Sequence, residues 1–244
     1  MFFKKRNTTD HSLFAALKAD MHSHLIPGID DGSPDMEISL ELIKGMVSLG
    51  YKKLITTPHV MWDMYQNSRE DILEKLAQLQ LTVKETGIDV EIVAAAEYFL
   101  DDHVTELLNK KEPLLTISNK KVLVEFSMVQ PVMGLKEILF EMTMQGYQPV
   151  IAHPERYIYM ERTRDLYDEL KAANCLFQLN FLSLGNYYGR SANELARYLI
   201  KKGYYELIGT DLHNSRHLEA LRDPRLTAEL KKLLDSGKII NDQL

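Results

Sequence analysis

Two histidines lie two positions apart in the stretch "DMHSHLIPGIDDGS", residues 20–33, and two aspartates follow them shortly before a glycine. Alternate side chains of a strand share one face, so His22 and His24 can reach the same ion. Asp30 or Asp31 can add a carboxylate from the loop. Imidazole and carboxylate ligands without a thiolate suit divalent ions such as Mn²⁺, Fe²⁺ or Zn²⁺. This stretch therefore predicts part of a divalent-metal site.

Further candidate ligands fall at the ends of later predicted strands. The motifs "TTPH", "AAAEY", "LVEFS", "AHPERY" and "GTDLHN" place an imidazole or a carboxylate after an apolar run, and they contribute His59, Glu97, Glu125, His153, Asp211 and His213. Any one such residue alone is more often hydrogen-bonded or solvated than a ligand. Together they favour metal binding, because the C-terminal ends of parallel barrel strands converge on one face.

The elements that must position these residues alternate between short β-rich runs and amphipathic helical stretches, which is typical of βα units around a parallel sheet. Strands are predicted near "ADMHSHL", "KLITTPH", "VEIVAAAEY", "KVLVEFS", "PVIAHPE", "LFQLN" and "LIGTDLH". Helices are predicted over 35–50, 68–87, 134–146, 162–173 and 191–203, with the weakest pattern over 101–111. Seven strands with their helices predict one distorted barrel, in a single domain over residues 1–244.

Composition narrows the class of protein. The 244 residues are 45% hydrophobic with a formal net charge of −6, and the scattered basic residues predict no nucleic-acid partner and no membrane insertion. The apolar run near the N-terminus is too short for a spanning helix or a signal peptide, so a soluble, cytoplasmic protein is predicted. Cys175, the single cysteine, precedes an apolar strand and is expected to be buried rather than nucleophilic. No Walker-type loop or dinucleotide fingerprint occurs, so no nucleotide cofactor is predicted.

In this order, the motifs resemble the bacterial PHP (polymerase and histidinol phosphatase) superfamily. "HSHLIPGIDDG" and "AHPERY" in particular are similar to the metal-dependent tyrosine-protein phosphatases of the CpsB/CapC/YwqE type. The resemblance implies an α/β fold, a distorted TIM-like (β/α)7 barrel with the metal site at the C-terminal ends of the strands. It says little about residues 1–18, an N-terminal extension without an assigned role.

The resemblance also implies roles for individual residues. Two or three divalent ions, Mn²⁺ first and Fe²⁺ or Zn²⁺ as alternatives, would be held by His22, His24, Glu97 and Asp211, by Glu97, Glu125 and His153, and by Asp31, His59 and His213. Arg156 matches an arginine that contacts the phosphate, and Arg216 is the candidate for a second one. Asp30 is expected to structure the loop rather than to bind metal directly.

The activity implied is hydrolysis of phosphotyrosine by hydroxide held between two ions. The implied substrate is the tyrosine-rich tail of a bacterial tyrosine kinase that regulates capsule or exopolysaccharide synthesis. Aromatic residues expected near the mouth of the site, Tyr187 and Tyr188 among them, could stack on the substrate ring. A small-molecule phosphoesterase such as a histidinol phosphatase is an alternative. Another is a metal-binding docking module without catalysis.

Overall fold

The computed structural model describes residues 11–244, so residues 1–10 of the predicted N-terminal extension lie outside the described residues. The strands of the described part are β1 (Ala19–Asp20), β2 (Lys53–Thr56), β3 (His59–Val60), β4 (Glu91–Ala94), β5 (Glu97–Phe99), β6 (Lys121–Glu125), β7 (Gln148–Ile151), β8 (Leu176–Asn180) and β9 (Tyr205–Gly209). Its α-helices are α1 (His11–Leu17), α2 (Met36–Leu49), α3 (Arg69–Glu85), α4 (Asp102–Lys110), α5 (Leu135–Met144), α6 (Asp165–Ala172), α7 (Gly189–Lys202), α8 (Ser215–Leu221) and α9 (Pro224–Asp235). The predicted α/β class with parallel strands is confirmed.

The strands form two parallel sheets, in the orders β1-β2-β4 and β3-β5-β6-β7-β8-β9. Two predicted strands are each divided between the sheets, since "KLITTPH" becomes β2 and then β3, and "VEIVAAAEY" becomes β4 and then β5. Pro58 lies at the first division, where it has no N–H to donate to a ladder. Within residues 11–244 the ladders therefore do not form the one closed sheet that a barrel prediction requires.

Chain segments beyond β1 and β9 connect the two sheets. Ser23 and Leu212 form an isolated parallel bridge. On either side of it, the Asp211 N–H donates to the carbonyl of His22 at 2.8 Å, and the His24 N–H donates to the carbonyl of Leu212 at 2.9 Å. The first and last predicted ligand segments are thus held against each other by backbone hydrogen bonds.

All six predicted helices are confirmed, including the weakest, which is α4. Local signals set their ends: Ser68 forms a capping box with Asp71 before α3, and Gly50 ends α2 in the left-handed conformation with φ 107°. Helices α1, α8 and α9 were not among the predicted elements. None of the helices in the described part of the chain is both long and apolar enough to cross a bilayer.

An apolar cluster between the two sheets supports the strands from inside. Both sheets and their connections contribute to it, through Met21, Ile55, Ala95, Ile117, Leu123, Val150, Ala152 and Leu207. Ile240 and Leu244 pack against this cluster from the C-terminal segment. A second and larger apolar core lies where the helices cover the strands. The polar ligand segments therefore begin where this inner packing ends.

Asn241 provides a first test of how the sheets are joined. Its buried amide accepts from the N–H of Ile208 at 2.9 Å and donates to the carbonyls of Ile208 at 2.7 Å and Ala19 at 3.1 Å. Asn241→Ala leaves these buried backbone groups without partners, and we expect the free energy of unfolding to fall by about 2–4 kcal/mol. Urea denaturation measures the change. The exposed neighbour variant Asp242→Ala should stay near the parent, and equal stability of both variants would contradict this role.

Candidate metal centre

The predicted ligands meet at the C-terminal ends of the strands. His22 and His24 follow β1, Glu125 ends β6, and His153 and Asp211 each follow a strand by two residues. His59 and Glu97 occupy opposite register positions in the β3 and β5 pair, just beyond β2 and β4. The split of two predicted strands therefore does not displace their ligands from this face.

The first cluster consists of four buried side chains. His22 Nε2 lies 3.1 Å from Glu97 Oε2 and 3.4 Å from Asp211 Oδ1. His24 Nε2 lies 3.4 Å and 3.5 Å from the same two oxygens. One atom from each residue lies within 4.8 Å of the others. The four residues assigned to the first ion thus come together as one possible coordination sphere.

Glu97 extends into a second cluster with Glu125 and His59, whose ligand atoms also lie within 4.8 Å of one another. His153 joins them, because its Nε2 lies 3.1 Å from Glu97 Oε1 and 3.6 Å from Glu125 Oε1. Glu97 Oε2 therefore lies near His22, His24 and His59, whereas Oε1 lies near His153. With candidate ligands beside both of its oxygens, this carboxylate could bridge two ions.

A third cluster lies at the outer edge of the centre and contains His24, Asp31, His59 and His213. Asp31 Oδ1 lies 3.4 Å from His213 Nε2 and 3.5 Å from His59 Nε2. The side chain of Asp31 is 53% exposed, whereas that of Glu97 is 1% exposed. A ligand in this third position is consequently the most accessible to solvent and substrate.

Hydrogen bonds at Nδ1 orient three of the imidazoles. His22 Nδ1 donates to Gln178 Oε1 at 2.9 Å, and His24 Nδ1 donates to Asp30 Oδ2 at 2.7 Å. His213 Nδ1 donates to the backbone carbonyl of Asp211 at 2.8 Å. An oxygen that accepts at Nδ1 places the free lone pair on Nε2, which is how metal-binding histidines are usually oriented. The predicted structuring role of Asp30 matches this contact.

Two features show that the residues fit bound cations. His59 Nδ1 is buried without a hydrogen-bond partner among the described residues, and it points between Glu97 Oε2 at 3.4 Å and Glu125 Oε2 at 3.7 Å. Buried polar atoms normally have partners, so this nitrogen lacks a partner that a bound ion between the carboxylates would supply. Burial and then repulsion from Glu97 raise the pKa of the Glu125 carboxyl well above its usual range. A cation between the two carboxylates would relieve that repulsion.

His153 is prepared as a neutral ligand. Burial, followed by the nearby charge of Arg156, lowers the pKa of its imidazole to about 4. The ring is therefore unprotonated at neutral pH, which is the form that binds metal. Its backbone and that of Asp211 are left-handed, with φ of 31° and 52°. This conformation is uncommon for residues with a side chain and is concentrated at functional sites.

Close backbone packing fixes the first two histidines. A Cβ atom at Gly209, the last residue of β9, would lie 2.6 Å from the Cβ of His22. A Cβ atom at Gly32 would lie 2.3 Å from the Cβ of His24. Both distances are below any tolerated contact, so only glycine lets these segments approach the histidines.

Arg156 lies at the edge of the centre. Its guanidinium donates to Asp211 Oδ2 at 2.9 Å and stacks on the ring of Tyr188, 4.4 Å from the ring centroid. Asn180 Nδ2 donates to the same Asp211 oxygen at 2.9 Å and to the hydroxyl of Tyr188 at 3.2 Å. These contacts occupy Asp211 Oδ2 and leave Oδ1 directed at His22 and His24.

The centre opens into a cavity of about 420 Å³. Tyr65, Tyr188 and His217 line it together with Arg156 and the more accessible ligands. Its rim includes the thioether side chains of Met61, Met64 and Met128. A cavity of this size accommodates a small organic group.

Two predicted residues are placed differently from the others. Arg216 lies on α8 and lines a neighbouring cavity rather than the metal cavity, and its contact with the reacting phosphate stays a prediction. His217, one position later, faces the metal cavity instead. Tyr187 also lines the neighbouring cavity, whereas Tyr188 lines the metal cavity as expected.

Cys175 is buried, as expected. Burial raises the pKa of its thiol to about 11, which opposes a nucleophilic role.

Sequence reasoning did not identify several residues that support the centre. Gln178 and Asn180 are polar residues within the otherwise apolar strand "LFQLN", which was a usable signal. Tyr65, in contrast, belongs to "HVMWDMY", one of the aromatic segments expected near the mouth, and it stacks on His59 with ring centroids 5.6 Å apart.

This parallel scaffold, with three histidine and carboxylate clusters at its strand ends, defines an α/β protein with a group of candidate metal ligands. The chain matches the family described as "Capsular polysaccharide synthesis, CpsB/CapC" over residues 18–236 and belongs to that family.

Two similar bacterial proteins are both named tyrosine-protein phosphatases. Tyrosine-protein phosphatase CpsB of Streptococcus pneumoniae is 30% identical over 200 residues, covering 80% of this chain and 82% of that protein. Tyrosine-protein phosphatase YwqE of Bacillus subtilis is 26% identical over 195 residues, covering 80% and 77%. One similar crystal structure is described as belonging to YwqE from Bacillus subtilis and CpsB from Streptococcus pneumoniae, "unique metal-dependent tyrosine phosphatases". The match has a TM-score of 0.76 at 24% identity, and it covers 88% of this chain and 91% of that chain. Histidinol phosphate phosphatase of Lactococcus lactis shares the fold at a TM-score of 0.54 and 14% identity, covering 91% and 94%.

The bridging position of Glu97 leads to a second test. Glu97→Gln keeps the size of the side chain but removes the charge shared by two clusters, so we expect metal affinity to fall about 10- to 100-fold. Metal content after equilibrium dialysis against Mn²⁺ measures the loss. Glu91→Gln, at an exposed position of β4, is the matched control and should bind metal normally. Unchanged metal content in the Glu97 variant would remove this residue from the ligand set.

Proposed function

We propose that the protein is a metal-dependent protein-tyrosine phosphatase, a phosphoric monoester hydrolase. The observation that carries the proposal is one cavity that combines three histidine and carboxylate clusters with an arginine at their edge. Membership of the CpsB/CapC family and the names of the relatives support the same activity.

The three clusters would hold three divalent ions, and we propose Mn²⁺, with Fe²⁺ and Zn²⁺ as alternatives. His22, His24, Glu97 and Asp211 would hold the first, Glu97, Glu125 and His153 the second, and Asp31, His59 and His213 the third. Bound ions of this kind neutralise a phosphate dianion and lower the pKa of water to near neutral. The described chain places no thiol in the cavity, so a thiolate nucleophile is not part of the proposal.

Arg156 would bind the phosphate. Its contact with Asp211 and its stacking on Tyr188 fix the plane of the guanidinium, and the residue lines the cavity. A planar guanidinium can give two parallel hydrogen bonds to phosphate oxygens, which adds orientation to charge. The residue therefore positions the phosphorus relative to the metal clusters.

The rim of the cavity favours an aromatic leaving group. Tyr65, Tyr188 and three methionines, Met61, Met64 and Met128, line the cavity, and aromatic rings and thioether sulfur both pack well against a phenyl ring. A phenolate leaves with a pKa of about 10, so it requires less protonation than an aliphatic alkoxide. Both features favour phosphotyrosine over phosphoserine.

We place this activity in the cytoplasm, on the tyrosine-rich tail of a kinase that regulates capsule or exopolysaccharide synthesis. An extended tail suits a cavity that is open to solvent at Asp31 and along the methionine rim. We also interpret the two sheets as arcs of one distorted barrel in a single domain over residues 1–244. The Ser23 and Leu212 bridge and the inner apolar cluster support that interpretation.

Substrate preference tests the proposed function. We expect a higher kcat/KM for a phosphotyrosine peptide than for the matching phosphoserine peptide or for histidinol phosphate, because the rim packs on an aromatic ring. Phosphate release in the presence of Mn²⁺ measures all three rates. Better turnover of histidinol phosphate would instead indicate a small-molecule phosphoesterase, and no turnover of any phosphomonoester would indicate a docking module.

Two controls identify the source of the activity. A chelator should abolish turnover, and restoring Mn²⁺ should recover it. Cys175→Ser should remain close to the parent enzyme because the buried thiol lies outside the cavity. A folded serine variant without activity would favour a thiolate mechanism.

Arg156→Lys tests the planar phosphate contact. Lysine keeps the charge but cannot supply two donors in one plane, so we expect kcat/KM to fall by at least about tenfold with normal metal content. Steady-state kinetics and metal analysis provide the two measurements. Arg162→Lys, in the exposed turn that follows, serves as the control. Parental kinetics in the Arg156 variant would reduce its role to the ion pair with Asp211.

A further inference from the structure

A second cavity, of about 660 Å³, adjoins the metal cavity. Its walls come from the turn after β8, from α8 and from the beginning of α9. Arg216, Arg222 and Arg225 line it beside the exposed ring of Tyr187. None of the nine candidate metal ligands contributes to its walls. It is therefore separate from the site described above.

Two pairs of consecutive residues form the ridge between the cavities. Tyr188 and His217 face the metal cavity, whereas Tyr187 and Arg216 face the second one. The ring of Tyr187 packs nearly perpendicular to those of Tyr188 and His217, at centroid distances of 5.2 Å and 5.0 Å. The two cavities are thus one layer of side chains apart, and an extended peptide that crosses the ridge would reach both.

Arg216 on α8 and Arg225 on α9 differ in the acidic partners of their guanidinium groups. Arg225 forms a bidentate pair with Asp223, through Nε to Oδ1 at 3.0 Å and through Nη2 to Oδ2 at 2.5 Å. Within residues 11–244, by contrast, no carboxylate forms an ion pair with the guanidinium of Arg216; its backbone N–H donates to Asn214 Oδ1. An accessible guanidinium without an acidic partner has donors available for an anionic ligand.

We propose that this cavity binds a second anionic side chain of the phosphotyrosine peptide, with Arg216 as the residue that contacts it. The proposal rests on the proposed function, because the first anchor of the peptide is the phosphotyrosine in the metal cavity. Tyr187 packs against the peptide backbone on the ridge. The anion is a carboxylate or a second phosphate, since both match a guanidinium.

The overall charge of the protein makes such a local cation informative. A chain with a formal net charge of −6 repels acidic peptides at long range. Arg216 lines the cavity without an acidic partner, so it offsets that repulsion for an anionic group bound in this cavity. Arg216 therefore determines which flanking sequences bind well, and it acts on peptide selection rather than on the reacting phosphate.

A peptide series tests this assignment. Each peptide carries one phosphotyrosine, and a glutamate or a second phosphotyrosine replaces alanine at each of the four positions on either side. Fluorescence anisotropy measures affinity without requiring turnover, and phosphate release measures kcat/KM. At the best position we expect about a three- to tenfold preference over the all-alanine peptide, decreasing at high salt. A larger preference for the glutamate peptides would identify the anion as a carboxylate, and a larger preference for the doubly phosphorylated peptides would identify it as a phosphate.

Variants of Arg216 provide the decisive comparison. Arg216→Gln should bring the ratio between acidic and neutral peptides close to one, and Arg216→Glu should invert it. Arg190→Gln, which removes an exposed arginine paired with Glu194 on α7, should keep the parental ratio.

Three results would overturn the proposal: no preferred position in the parent, a preference that survives Arg216→Gln, or an equal loss for neutral and acidic peptides. The last result would mean that Arg216 acts on the reacting phosphate. Turnover of the neutral peptide by the parent enzyme tests the proposed phosphatase activity separately, because it does not depend on the ratio between acidic and neutral peptides.

Discussion

The candidate metal centre depends on the interaction between the buried carboxylate of Glu97 and the four imidazoles that surround it. Its oxygens lie 3.1 Å from His22 and from His153, and 3.4 Å from His24 and from His59. Burial alone would raise the pKa of Glu97, but the surrounding histidines hold it well below the usual range. A charge removed from water in this way is tolerable only when several partners arrive together. The strands that deliver those partners must therefore hold a fixed register.

The sequence allowed the candidate ligands to be identified because parallel strands impose a simple rule. Polar residues that follow apolar runs in a parallel sheet must gather at one edge, whatever their separation along the chain. His22 and Asp211 are 189 positions apart in the sequence, yet they lie 3.4 Å apart. The supporting residue Gln178 was less visible, although an amide within an apolar strand requires a partner.

The rotation of a helix about its axis and the pairing of distant strands were harder to predict. Arg216 and His217 are adjacent on α8, and their order along the helix decides which one faces the metal cavity. No sequence pattern fixes the rotation of a seven-residue helix to that accuracy. The division of two strands between sheets also depends on long-range pairing rather than on local propensity. Helix α9 did carry a signal, since Leu226, Leu230 and Leu233 are spaced for one buried face.

The hydrogen bond between Asn241 and Ala19 spans 222 positions of the chain. Contacts of such separation form late, because a long loop must close before they contribute stability. During synthesis, His22, His24 and Glu97 leave the ribosome well before Asp211 and His213 exist. A nascent chain consequently presents an incomplete set of candidate ligands, and a metal ion that needs all of them would bind only after the last two have been synthesised.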